Sequence, residues 1–272
     1  MKKNKLVWKK WFLETLAPYG ANILAEKSDE YGAVRVIELG GFRALYFDSE
    51  HCQGRVNKEK PWKPASEYLY STLLSSAYCQ QINQILLLGL GPAALVHSFH
   101  RLYPNAKITC VELREVVCDF AHLYFDLSDF QELKLLKQDA ADFLKKENIE
   151  NKYDLVIVDL AMSHELSPVL LQSAFWEKLS KLMHQNSVLS CNLWDGHEHR
   201  FEWITQQIKK FFSHTSLFKH QHLDNLLLYA SHHAFDSSMF KEKAISIEQN
   251  LEISFASFLQ QIEENQIKKS SD

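Results

Sequence analysis

The sequence predicts an α/β protein built on one open, mostly parallel sheet. Three observations predict it. From Ile85 onward, short apolar runs alternate with stretches of helical period. The first run, Ile85-Leu86-Leu87-Leu88, is apolar throughout, as suits a strand buried on both faces. A glycine turn, Gly89-Leu90-Gly91-Pro92-Ala93-Ala94, follows it at once. That is where such sheets receive a ligand.

The elements follow in order. In the first thirteen residues, lysines alternate with Leu6, Trp8, Trp11 and Phe12. A basic amphipathic segment can lie on an anionic membrane. The favoured expectation is a terminal helix or strand that docks its tryptophans on its own domain or on a second subunit. Residues 31 to 47 read as a β-hairpin, Val34–Leu39 and Phe42–Phe47, turned by Gly40-Gly41. A polar loop with Pro61 and Pro64 comes next, then a helix over Ser66–Tyr78.

After the strand at Ile85, a helix runs to Tyr103 and is broken by Pro104-Asn105. Strands are then expected at Lys107–Val111, Leu133–Leu136, Asp154–Asp159 and Ser187–Asn192. Helices are expected at Arg114–Phe125, Ala141–Glu147, Pro168–Met183 and His197–Phe212. Two last strands, Thr215–Lys219 and Asn225–Ser231, have only a polar turn between them, so one enters the sheet antiparallel. A helix over Ser246–Ile267 and a polar tail close the chain. The expected division is a β-region and linker over 1–65, a nucleoside-binding unit over 66–235, and a C-terminal helix and tail over 236–272.

Composition bounds the function. The chain has 272 residues, 46% of them hydrophobic, and a net charge of −4, too mild to make nucleic acid the expected partner. Five cysteines without a CxxC pair point to reduced thiols and a cytoplasmic setting. No apolar run is long enough to span a bilayer, and no signal peptide is recognisable.

The candidate site lies at the carboxyl ends of the strands. Gly89 and Gly91 let the backbone approach a ligand. Glu112, about twenty residues on, is placed to take the two hydroxyls of a ribose. Asp139 is placed to accept from an adenine amino group, and Asp159 stands where a transferred group would sit. Taken singly, these residues also suit tight turns and helix caps. Ordered along successive strand ends, they point to a nucleoside site. Trp194 and His197 are candidate acceptor contacts.

His97-x-x-His100 and the run Asp195-Gly196-His197-Glu198-His199 supply too few ligands to close a metal site, so no metal is expected. Ser163-His164 lacks a G-x-S-x-G elbow, which argues against a hydrolase. The glycine turn and Glu112 would also suit a dinucleotide fold. The closing strand hairpin instead matches the S-adenosylmethionine-dependent methyltransferase fold, a Rossmann-like seven-stranded sheet.

The hairpin, Glu67-Tyr68-Leu69-Tyr70, Ile85–Gly91, Val111-Glu112, Asp139-Ala140 and Tyr153–Asp159 resemble the spermidine synthase (polyamine aminopropyltransferase) family in order and spacing, over roughly residues 25–232. The resemblance implies that Gly89, Gly91 and Glu112 hold decarboxylated S-adenosylmethionine, with Asp139-Ala140 by the adenine. It implies that Asp159 is the base and that Tyr70 orients the attacking amine. It also implies a homodimer, with the N-terminal tryptophans as a candidate interface.

The departures matter as much. The family turn carries an aspartate where this chain has Pro92. Its Tyr-His-Glu is here Tyr70-Ser71-Thr72, and a second aspartate after the base is here Met162. The nucleoside half is kept and the polyamine half is rebuilt. The expected function is transfer of a methyl or aminopropyl group from S-adenosylmethionine or its decarboxylated form to a small-molecule acceptor other than putrescine. The alternative is a non-catalytic nucleoside-binding or interaction protein.

Overall fold

The computed structural model describes residues 2–48, 50–127, 130–147, 150, 152–160, 167–194, 198–219, 225–235 and 238–256. Helix α1 (Lys2–Thr15) precedes an antiparallel sheet of β1 (Asn22–Asp29), β2 (Gly32–Leu39), β3 (Phe42–Tyr46) and β4 (Cys52–Asn57), paired in that order. Gly40 (φ 55°) and Gly41 (φ 82°) supply the positive φ angles of the turn between β2 and β3. The two outer strands were not expected. Along β1 the side chains are mostly exposed, and β4 carries Gln53, Gly54 and Arg55, so neither shows an apolar alternation. Backbone pairing to β2 and β3 holds them in place.

The tryptophans of α1 dock on this sheet. Trp8 and Phe12 are buried and stacked at 5.5 Å, beside Ile37. The Arg35 guanidinium lies 3.9 Å from the Trp8 ring centroid. Trp8 is thus held within its own chain, not offered to a second subunit. No helix among the described residues is long and apolar enough to cross a membrane.

The remaining elements are α2 (Glu67–Leu74), β5 (Gln84–Leu88), α3 (Ala94–Leu102), β6 (Lys107–Glu112), α4 (Glu115–Tyr124), β7 (Leu133–Lys137) and α5 (Ala140–Lys146). They continue with β8 (Tyr153–Val158), α6 (Ser173–Lys181), β9 (Met183–Trp194), α7 (Glu198–Lys209), β10 (His214–Lys219), β11 (Asn225–Ser231) and α8 (Phe240–Leu251). Seven strands form one sheet in the order β10-β11-β9-β8-β5-β6-β7, with β11 antiparallel to both neighbours.

Side chains alternate across this sheet with period two. Ile85, Leu87, Leu155 and Ile157 enter a core shared with α2, α3, α4 and the N-terminal sheet. Leu86, Leu88, Val156 and Val158 enter a second core under α5, α6 and α7. The order reverses direction between β5 and β8, which sets the ligand crevice at their carboxyl ends.

Three helices differ from expectation. The helix expected over Ser66–Tyr78 is α2 followed by a 3-10 turn, Ser75–Tyr78. Residues Pro168–Leu171 form a 3-10 turn before α6, and Met183 already belongs to β9. The C-terminal helix lies earlier than expected, ending where Glu252 turns left-handed (φ 53°). The rest of the expected helix, past residue 256, lies outside the described residues.

Candidate functional site

The turn after β5 is shaped by close contact. Gly89 has φ 102°, and a Cβ there would fall 2.1 Å from the backbone oxygen of Asp159. Only glycine fits between the ends of β5 and β8. Gly91 (φ 53°) faces open space, and Ala93 holds a left-handed φ of 62° at the start of α3. The turn therefore leaves a cleft of about 1040 Å³, its open mouth included. Gly89, Gly91, Glu112 and Asp159 all line it.

Glu112, at the end of β6, is 8% exposed. One carboxylate oxygen accepts from the Leu90 N–H at 3.1 Å, the other from the Arg114 N–H at 2.8 Å. Burial pushes its carboxyl above the ordinary value, and these N–H bonds and the Arg114 charge pull the other way. A carboxylate offers about four acceptor positions, so both oxygens can still receive a hydroxyl. Arg114 makes a bidentate pair with Asp29 at 2.9 and 2.6 Å and donates to the Gly32 carbonyl at 2.9 Å. This clamps the β1–β2 turn over the cleft and brings Tyr31 to its lining.

Asp159 follows β8, which sits beside β5 on the side opposite β6. Its Oδ1 accepts from Asn192 Nδ2 at 2.8 Å, and Asn192 Oδ1 accepts from Asn225 Nδ2 at 3.0 Å. Three adjacent strands thus fix one side of this carboxyl. Burial raises its pKa and the Asn192 bond lowers it. An amide cannot take up a proton, so the remaining oxygen is the one available for proton transfer.

Other expectations fare differently. Asp139 caps α5, accepting from the Ala141 and Asp142 N–H groups, and with Ala140 it stands outside the cleft lining. It is close enough to Tyr31 to help raise that hydroxyl's pKa. Tyr70 is not brought to the cleft. It packs edge-on against Phe255, with ring centroids 6.4 Å apart. Residues two positions apart on a helix point about 200° from each other, and it is Tyr68 that lines the cleft. Asp159 and Cys52 both bear on the Tyr68 hydroxyl, which burial raises well above its ordinary pKa.

The sequence reading also missed Gln53, Gly54 and Tyr31, because they sit on strands and turns without a pattern of their own. Met162, Ser163, His164, Asp195 and His197, and the Trp194 side chain, lie outside the described residues. His97 bonds the Phe125 carbonyl at 2.6 Å inside the core. Among the described residues no three metal-ligating side chains converge.

The comparisons agree with this layout. The model of the spermine/spermidine synthase domain matches residues 70–221. A polyamine aminopropyltransferase of Vibrio vulnificus is 24% identical over 186 residues, 65% of this chain and 62% of that protein. The chain thus spans under two thirds of that relative's length. A probable spermidine synthase from Corynebacterium glutamicum superposes with a TM-score of 0.70 at 15% identity, covering 83% of this chain and 87% of that one. Human methyltransferase-like protein 13, solved in complex with SAH, gives 0.62 at 18% identity, over 70% and 94%. These structures share the methyltransferase-type fold. The chain belongs to the spermine/spermidine synthase family, a family of transferases.

Proposed function

We propose that this family member is a transferase that takes S-adenosylmethionine or its decarboxylated form and alkylates a small nucleophile other than putrescine. Gly89, Gly91, Glu112, Leu113 and Tyr31 would hold the nucleoside. Their fit rests on the open space at Gly91 and the acceptor positions left on Glu112. The donor supplies a sulfonium, whose neighbouring carbon is open to attack. Asp159 takes the proton that the acceptor gives up, on the oxygen that Asn192 does not hold. Holding both partners in one cleft supplies a large part of the rate.

The observation that carries this reading is the pairing in one cleft of two carboxylates held differently, Glu112 buried and Asp159 half-buried. Among the described residues Glu112 is tied by two backbone N–H groups, and Asp159 by one side-chain amide. The released nucleoside tests it. Aminopropyl transfer from the decarboxylated donor leaves 5′-methylthioadenosine, and methyl transfer from S-adenosylmethionine leaves S-adenosylhomocysteine. Appearance of either with a panel of amines, thiols and phenols, and its loss in Asp159→Asn, is the expected result. Release unaffected by Asp159→Asn would contradict it.

A further inference from the structure

Arg35, on β2, is fully buried and stands behind the cleft, not in its lining. Its Nε donates to Glu26 of β1 at 2.9 Å. Its Nη1 donates to the Phe47 carbonyl at 3.4 Å and stands 3.8 Å from an Asp48 carboxylate oxygen. Its Nη2 has no acceptor among the described residues. The Trp8 ring of α1 covers the guanidinium, its centroid 3.9 Å from Cζ. An indole face stabilises a cation, and more strongly away from water. Trp8 therefore holds in place a buried charge whose other partners belong to β1 and to the end of β3.

The groups that Arg35 ties down are the ones that lead to the cleft. Phe47 lines it, and the Arg114 guanidinium lies 4.5 Å from the Phe47 ring centroid. Asp48 packs beside Gly32, where an added Cβ would meet the Asp48 Cβ at 3.1 Å. The Gly32 carbonyl accepts from Arg114 Nη2 at 2.9 Å, and the Arg114 N–H donates to Glu112 at 2.8 Å. Two arginines thus hold Phe47, Arg35 by its carbonyl and Arg114 by its ring. From Trp8 to Glu112 every step is a direct contact between described residues, although no described residue of α1 lines the cleft.

Resting on the nucleoside site proposed above, we infer that Arg35 is a positioning residue for that site, and that the docking of α1 through Trp8 sets the affinity of a cleft α1 does not touch. The indole fixes the guanidinium, and the guanidinium fixes Phe47 and Asp48. These in turn fix Arg114 and the β1–β2 turn, which carries Tyr31 to the cleft. Such coupling is reciprocal, so an occupied cleft also holds α1 more firmly on its sheet.

Calorimetric titration with 5′-methylthioadenosine tests this. Affinity is expected to fall by roughly fivefold or more in Trp8→Ala and in Arg35→Gln, and to be largely kept in Trp8→Phe, which retains an aromatic face. The double variant Trp8→Ala/Arg35→Gln should lose no more than the larger single loss, because both changes remove one contact. Hydrogen exchange reads the same coupling without ligand. Amides of residues 30–32 and 47–48 should exchange faster in Trp8→Ala, with β8 and α6 at the wild-type rate. Wild-type affinity in Trp8→Ala, additive losses in the double variant, unchanged exchange at those residues, or exchange accelerated evenly over the fold would overturn the inference. Failure of the wild type to bind 5′-methylthioadenosine would instead count against the nucleoside reading, and the exchange comparison would still decide the coupling.

Discussion

Glu112 and Asp159 end the two strands that flank β5, and both carboxyls are pushed above their ordinary pKa by burial. They differ in what holds them. Glu112 receives backbone N–H groups from the glycine turn and from the start of α4, so its bonds are part of the fold. Among the described residues Asp159 receives one side-chain amide, on one oxygen. A carboxylate bonded on both oxygens to the backbone organises its surroundings. One bonded on a single oxygen to a neutral group is free to exchange a proton. The same cleft thus has a scaffold half and a chemical half, and Gly89 is the point where they touch.

Six substitutions would break or sharpen that contrast. The largest effect is expected at Asp159. Asp159→Asn should lower kcat by about 10²–10⁴-fold, with 5′-methylthioadenosine affinity by calorimetry nearly unchanged. Glu112→Gln should do the opposite. It keeps an oxygen against one N–H donor and sets an amide NH₂ against the other, at a cost of about 1.5–3 kcal/mol. The loss should be visible in nucleoside affinity and in Tm, with a smaller change in kcat.

Gly89→Ala comes next. Its Cβ would meet the Asp159 backbone oxygen, and its φ of 102° strains any side chain, so a loss of at least about 1–3 kcal/mol is expected in thermal unfolding. Gly91→Ala, with open space around it, should cost less. Equal losses at the two glycines would deny the close contact a special role.

The smallest effect is a shift of pH profile. Asp159 must be ionised to accept a proton, so activity falls as pH drops through its pKa. Asn192 lowers that pKa, and Asn192→Ala should move the acid limb of kcat/KM to higher pH. Asn225→Ala, one bond further out, should shift it less in the same direction. An unmoved limb in both variants would remove Asn192 from the proton chemistry.

The contrast also explains what the sequence could disclose. The parallel strands were legible because they are short apolar runs bounded by turn residues, and the residues closing them could be named in advance. Gly89, Glu112 and Asp159 share one cleft for that reason. Tyr68, Gly54 and Tyr31 were not legible. Tyr68 and Tyr70 are two aromatics on one short helix, and only the packing of α8 and Phe255 decides which faces the cleft. The β1–β2 turn enters the site through a clamp, Arg114 on Asp29, between residues 85 positions apart, and β4 enters it where Gly54 meets Pro92. Likewise Asp139 sits at the end of its strand as expected, yet its side chain is engaged by the N-terminus of α5.

The measurement that bears most directly on the account is calorimetric titration of the wild-type protein with S-adenosylmethionine, its decarboxylated form and 5′-methylthioadenosine, repeated with Glu112→Gln. Binding of 5′-methylthioadenosine and of one sulfonium donor, weakened in the variant, is the predicted result. No binding of any of the three, or binding indifferent to Glu112, would contradict the assignment of this cleft to a nucleoside.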